Sequence, residues 1–397
     1  MKKYLLLFTL IGFLSGCVST DSVSVTSEPS VVASNPISSE PGYRSVPYTN
    51  PAHIIQLDGS ERFVTIADPD ILVGEDGYFY LYPTNLECEM GSLGVMFDLG
   101  PIFKSDDLQT WRWAGSVFLG HADAVNWNSQ AMSTGGVWAP SIIKIGDRYN
   151  YYYSLSGWGD PNPGIGVASA PTPVGPWTHY GKLVDQEMTG IRNGIDPHVM
   201  IEDDKVYLFW GSFFGIGAVQ LTDDGLETFY PPEMIKDHVV YIIPNNNGTK
   251  MNINVNYEGS FIMKKGDYFY YMGSQGSCCS GQDSTYRVKV GRSENILGPY
   301  VNVDGDELTT GGYGDIVVAP NDEVKGTGGS VVIQDYAGDD WLIYHGFYRD
   351  GLDPNQRVLF KDRLLWDEET GFPYVEGRVA SLTEQEGPIT VVHENNE

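Results

Sequence analysis

The sequence predicts an all-β protein, a five-bladed β-propeller, and three observations carry the prediction. Past residue 45 no stretch holds a 3.6-residue apolar period over helical length. Short aromatic and β-branched runs recur instead, punctuated by Gly, Asp and Pro. The third observation is an internal repeat, which returns five times along the chain. The segments are IADPDILVGEDGYFYLYPT from 66, VWAPSIIKIGDRYNYYYSLS from 137, GIDPHVMIEDDKVYLFWGSF from 194, YEGSFIMKKGDYFYYMGSQ from 257, and GTGGSVVIQDYAGDDWLIYHGF from 326. Each has a small or acidic entry, an apolar strand, a Gly/Asp turn and a second, aromatic strand. Setting Asp68, Ala139, Asp196, Gly259 and Gly329 in one slot gives intervals of 71, 57, 63 and 70 residues. Each interval has room for a four-stranded antiparallel sheet with its loops. Five such sheets set radially leave only short edges, whereas a two-sheet sandwich would not explain why one hairpin returns five times.

Residues 1–17, MKKYLLLFTLIGFLSGC, carry two lysines, an apolar stretch too short to span a bilayer, and small residues ending at Cys17. This is the pattern of a secretory signal, and Leu14-Ser15-Gly16-Cys17 resembles a bacterial lipobox in which Cys17 is lipidated. Residues 18–45 are rich in Ser, Thr, Val and Pro and read as a flexible tether. Residues 46–385 are the predicted propeller and 386–397 a C-terminal tail. The formal net charge of −28 argues against nucleic acid or other polyanions as partners and favours a neutral ligand. Besides Cys17 there are Cys88, Cys278 and Cys279, without metal-site spacing. An exported compartment permits a disulfide, but the spacing does not choose the pair.

If the first strand of each hairpin is innermost in its blade, the five strand starts meet around the axis at one face. Asp68, Asp196 and Glu258 then become neighbours in the mouth, and Trp138 occupies the blade-two place equivalent to Glu258. Three carboxylates and an indole suit a sugar, whose C–H face stacks on an aromatic while its hydroxyls donate to carboxylates. Glycoside hydrolysis needs two carboxyl groups flanking the scissile bond, one protonated and one ionised. A third acid nearby raises the donor's pKa by repulsion. Taken singly, Asp before Pro is ordinary turn chemistry, and a lone Glu at a strand start is ordinarily a solvated charge; the shared slot changes that balance. The remaining acids, among them Asp70, Asp160, Glu202 and Asp203-Asp204, read as solvated charges.

At these motifs the chain resembles glycoside hydrolase family 43 over most of residues 50 to 380. The resemblance rests on ADPDI around Asp68, VWAPSI around Trp138, YYYSLSGWGDPNPGIGVASA, GIDPHV with YLFWGSFFGI, YEGSF at Glu258, GSCCSGQDSTYRVKVGRS, IYHGF around His345, and RLLWDEETGFP. The GSFFGI and GSCCSG…STY…VGRS stretches look most like arabinan-degrading members that act on α-1,5-linked arabinofuranose. The resemblance implies Asp68 as general base, Glu258 as general acid, Asp196 as the carboxylate that orients Glu258 and raises its pKa, and inversion at the anomeric carbon. It implies sugar subsites lined by Trp138, Trp158, Phe213 and Phe214, and a calcium ion near His345 bound largely through water. Ala67 stands where such members commonly have His, and Gly259-Ser260 follow the acid where they have Ala-Pro or Gly-Pro. These departures leave the carboxylates in place and bear on substrate and on endo or exo action. The expectation is an endo-acting arabinan hydrolase on a lipid anchor. The alternatives are an exo-acting arabinofuranosidase or xylosidase and, in another class, a non-catalytic glycan-binding propeller. A binder has no need of a paired acid and base.

Overall fold

In the computed structural model the described residues are 42–55, 61–62, 66–89, 95–245, 250–308, 314–351 and 353–393. Among them the chain forms five sheets set around an axis, as the repeat predicts. Their innermost strands are Asp70–Val73, Gly135–Ile145, His198–Glu202, Glu258–Lys265 and Val324–Gln334. Blades two, three and four are four-stranded meanders in chain order, and blade five holds three strands. Blade one is wider: His53–Ile55 adds parallel to its strand Thr110–Ser116, and Glu61–Arg62 follows outside. Helix is confined to isolated single turns such as Ala131–Thr134 and Gln186–Thr189.

The Gly/Asp signals mark tight hairpins. Two residues separate the paired strands at Gly146-Asp147, Asp203-Asp204 and Gly266-Asp267. Asp203 and Asp204 both take positive φ, 49° and 60°, the backbone that two-residue hairpins demand and that Asp tolerates. Their role is conformational as well as solvated.

The strands show little apolar alternation because both faces of each blade are covered. Five hydrophobic clusters among the described residues lie one at each junction between neighbouring blades. Trp210 and Tyr152 pack between blades two and three, Phe209 and Tyr271 between three and four, and Trp111 and Trp341 where blade five meets blade one. Asn50 helps to close the circle, donating to Lys361 O at 2.7 Å and accepting from Lys361 N–H at 3.0 Å.

Two expected boundaries move. Tyr43–Ser45, at the end of the expected tether, pairs antiparallel with Ile389–Val391, inside the expected tail. Three-residue strands are too short to show alternation, and it is the pairing partner far along the chain that makes them strands. Asp70, read as a solvated charge, accepts the Ile142 N–H of blade two at 2.9 Å and the Ile71 N–H at 2.8 Å, and burial pushes its pKa up to about 7. Glu202 pairs with Lys264 across the blade-three to blade-four junction. Asp160 accepts from Asn128 at 2.7 Å and Asn162 N–H at 2.9 Å.

Candidate active site

The repeat slot has a conformational meaning. Asp68, Ala139, Asp196, Gly259 and Gly329 all have positive φ, 49°, 36°, 59°, 60° and 55°. Glycine and aspartate are the residue types that take this backbone at least cost. The turned backbone directs each slot N–H toward a neighbouring blade, where a side chain accepts it. Thr84 Oγ1 accepts from Ala139 at 2.9 Å, Ser154 Oγ from Asp196 at 2.8 Å, Ser274 Oγ from Gly329 at 2.9 Å, and His345 Nδ1 from Asp68 at 3.0 Å. Thr84, Ser154, Ser274 and His345 stand at one repeated position, in or just past the last part of the second strand of their blades.

Blade three departs from this pattern. Its equivalent residue is Gly211, whose N–H bonds Ile195 O at 2.7 Å. A Cβ there would stand 2.2 Å from Gly215 O, so no hydroxyl-bearing residue fits. Asp196 Oδ2 instead accepts the Gly259 N–H at 3.0 Å. Ser212, one residue on, donates to Glu258 Oε2 at 2.6 Å, and Tyr286 donates to Glu258 Oε1 at 2.8 Å.

The structure therefore brings Asp68, Asp196 and Glu258 together at the axial mouth, lining one cleft of about 700 Å³, within the usual range for ligand sites. Glu258 and Asp196 are buried, at 7% and 9% exposure. Burial is the main cause that raises Glu258 to about 7; the Asp68 charge adds to it, while the Ser212 and Tyr286 hydrogen bonds and Arg357 oppose it. Burial also raises Asp196 well above the carboxylate range, with the charges of Glu258 and Asp68 reinforcing it. Repulsion between two buried carboxyls acts on both, so the group loses its protons in shared steps. The Asp68 side chain is more open, at 26% exposure. Its Oδ2 accepts from Thr84 at 2.7 Å and lies 3.8 Å from Arg357 Nη1.

Trp138 and Trp158 stand side by side in the cleft with ring centroids 5.7 Å apart, and Trp158 is 71% exposed. Phe213 and Phe214 also line it; Phe213 is largely buried, while the Arg192 guanidinium lies 4.2 Å from the Phe214 ring centroid. His345 is fully buried, its ring stacked on Tyr286 at 5.9 Å. Burial lowers its pKa to about 3, so the ring is neutral. Cys278 and Cys279 form a disulfide with each other and line the same cleft; the side chain of Cys88 and all of Cys17 lie outside the described residues.

Sequence reasoning missed Thr84, Ser154, Ser212, Tyr286 and Arg357. Thr84 and Ser154 could have been found, because the aligned repeats already place them with His345. Arg357 opens the third strand of blade five, outside the repeated hairpin, and no sequence pattern marks it.

A five-bladed propeller with three carboxyl groups converging in an axial cleft defines a glycoside hydrolase. Residues 63–372 match the model of glycosyl hydrolases family 43, and the chain belongs to that family. It is 30% identical over 302 residues to an extracellular exo-α-(1→5)-L-arabinofuranosidase of Cellvibrio japonicus, covering 72% of this chain and 84% of that protein. It is likewise 30% identical over 276 residues to an extracellular endo-α-(1→5)-L-arabinanase of Bacillus subtilis, covering 68% and 78%. Among solved structures, an α-L-arabinanase of Cellvibrio cellulosa complexed with arabinohexaose superposes with a TM-score of 0.67 at 27% identity, covering 79% of this chain and 96% of that one. An endo-arabinanase of Bacillus licheniformis gives 0.63 at 28% identity, covering 79% and 98%.

Proposed function

We propose that this protein is an inverting, endo-acting hydrolase of α-1,5-linked arabinan. The observation that carries the mechanism is the unequal setting of two carboxyls in one cleft: Glu258 is buried and raised to about 7, while Asp68 is partly open and held near Arg357. A carboxyl raised to that range still carries its proton near neutral pH and can give it to the leaving oxygen. Asp68 Oδ1 lies 3.5 Å from His345 Nδ1, which already accepts a hydrogen bond. Two acceptors do not bond each other, so this oxygen is the one suited to take a proton from an attacking water. The two carboxyls of an inverting enzyme stand roughly 6.5–9.5 Å apart to admit that water. Asp196 holds the backbone after Glu258 and, buried beside it, shares its titration. Trp138 and Trp158 offer faces for sugar rings, and Phe213 and Phe214 line the same cleft.

Arabinan as substrate is supported by the relatives' activities and by the bound arabinohexaose of the Cellvibrio cellulosa enzyme. The exposed Trp158 extends the cleft toward solvent, which suits an internal stretch of polymer. The same acids would serve exo action, as in the Cellvibrio japonicus relative, so products decide. Linear arabinan should yield a ladder of oligomers, and arabinose alone would mean exo action. Inversion should show as β-configured reducing ends in early NMR spectra. Absence of new reducing ends under several conditions would sink the enzyme reading and leave the glycan-binding one.

A calcium ion near His345 belongs to this proposal. Among the described residues no cluster of three or more His, Cys, Asp or Glu is arranged to hold a metal. His345 Nε2 is buried without a protein partner. Because Nδ1 accepts from Asp68, the neutral ring carries its proton on Nε2, so this atom can donate to a water rather than ligate an ion directly. The fit is to an ion held through its water shell, which would supply fixed positive charge beside Asp68. Calorimetric titration of calcium into chelator-treated protein, with the melting temperature followed in parallel, tests it. Export and lipidation at Cys17 are proposed from the residues alone; a mass increase of diacylglyceryl size, lost in Cys17→Ala, would support them.

A further inference from the structure

The Cys278–Cys279 disulfide is a feature that the catalytic scheme leaves unused. It sits in the loop between the second strand of blade four, Tyr268–Gln275, and the third, Arg287–Ser293. That loop ends at Tyr286, the donor to Glu258. The chain-entropy account of disulfide stabilisation depends on the length of loop closed in the unfolded chain. A link between adjacent residues closes almost none, so stability gives little reason for it. Its location is more telling. Both sulfur-bearing residues line the cleft that holds Asp68, Asp196 and Glu258, and Cys278 is half-buried while Cys279 is exposed.

The surrounding loop is held in place by its own hydrogen bonds. Ser277 N–H donates to Thr285 Oγ1 at 3.1 Å, Ser280 N–H to Ser284 Oγ at 2.9 Å, and Gln282 Nε2 to Pro354 O at 2.6 Å. Adjacent cysteines joined through sulfur form an eight-membered ring with little internal freedom. A ligand that packs on it has little conformational entropy to overcome. The disulfide offers no strong hydrogen-bond donor and presents two polarisable sulfurs, a surface matched to the C–H face of a furanose ring rather than to its hydroxyls.

We propose that the Cys278–Cys279 disulfide is a substrate-contacting wall of the cleft, a sugar subsite on the blade-four side that exists only while the pair is oxidised. The proposal rests on the arabinan reading. A dithiol would open the wall by thiol–disulfide exchange: two electrons and two protons pass to the pair, giving two thiols, while the dithiol closes to its own disulfide. The freed thiols regain rotational freedom and the flat sulfur surface is lost.

The test compares wild type with the Cys278→Ser/Cys279→Ser double variant on linear arabinohexaose, each with and without dithiothreitol. For the variant KM should rise about fivefold to tenfold, with kcat within twofold and the melting temperature within about 2 °C. Dithiothreitol should raise the wild-type KM to the same degree and leave the variant unmoved. A variant with wild-type KM overturns the inference while leaving the arabinan reading intact. So does a variant whose kcat falls with KM unchanged, because the loop would then act only by placing Tyr286. A wild type inert on arabinohexaose overturns both.

Discussion

Two blade junctions that begin from the same repeat end in different chemistry. Between blades two and three, Ser154 accepts the N–H of Asp196, and the contact is a neutral clasp between sheets. Between blades three and four the clasp position is Gly211, crowded by Gly215 O, and a carboxylate takes over: Asp196 accepts from Gly259. Ser212 is then free to donate to Glu258. The lesson is that the active site is a modified joint. The slot N–H must be satisfied wherever it is buried, and satisfying it with Asp196 rather than a hydroxyl sets a second carboxyl beside Glu258. At the junction between blades five and one, His345 does the same service for Asp68.

The widest contrast is between the two ends of the reaction. Glu258→Ala should reduce arabinan cleavage about 10²–10⁴-fold, the usual range for a general acid, yet spare much of the activity on an aryl arabinoside whose leaving group needs no proton. Asp68→Ala should lose both, because water attack is required whatever departs. Steady-state rates on the two substrates measure the split. Equal losses for Glu258→Ala would remove its role as proton donor.

The carboxylate that replaces the clasp provides the next test. Asp196→Asn keeps an acceptor for Gly259 N–H and removes the ionisable carboxyl. Asp196 and Glu258 share their titration, so with Asn at 196 Glu258 titrates alone. The alkaline limb of the kcat/KM profile, expected near 7 in the wild type, should change position or steepness as the coupling is lost, with kcat at neutral pH falling about tenfold to a hundredfold. A limb unchanged in both would reduce Asp196 to a structural joint.

Much of this was legible in the residues and part was not. The fivefold repeat placed Asp68, Asp196 and Glu258 in one mouth because hairpins of one kind, set radially, must converge. Gly259 and Gly329 were legible as members of the repeat slot, and the slot's positive φ explains them. Gly259, directly after Glu258, is in part a consequence of that backbone. What stayed hidden depends on distance across the fold. Asp70 looked solvated because its partner, Ile142 N–H, lies 72 residues away, and Arg357 sits outside the repeated hairpin. Cys278 and Cys279 were visible as neighbours, but adjacency alone does not favour a bond between them over one to Cys88.

The same modified joint carries a stability cost that depends on pH. A carboxyl whose pKa rises on folding binds more protons in the native state, so its contribution is fully present below the unfolded value, near 4.5, and is lost as pH rises through about 7. Over that interval ionising Glu258 should cost about 3 kcal/mol. Glu258→Gln, which cannot ionise, should therefore gain on the wild type between pH 5 and pH 8. Denaturant melts at the two values would check it, and a constant difference would mean that Glu258 is not raised.

The smallest effect is expected at the unmodified joint, and it completes the comparison. Ser154→Ala removes the acceptor for the buried Asp196 N–H and leaves that donor unsatisfied, a loss of about 1–3 kcal/mol. Because Ser154 touches the backbone of Asp196 and no carboxyl oxygen, kcat per folded molecule should stay within about threefold and the alkaline limb should not move. Thr84→Ala is the informative counterpart, since Thr84 Oγ1 both accepts from Ala139 N–H and donates to Asp68 Oδ2. It should show a similar loss of stability together with an altered pH profile. If Ser154→Ala shifts the profile as far as Thr84→Ala does, neutral clasp and catalytic joint are not separable, and the distinction between the two junctions fails.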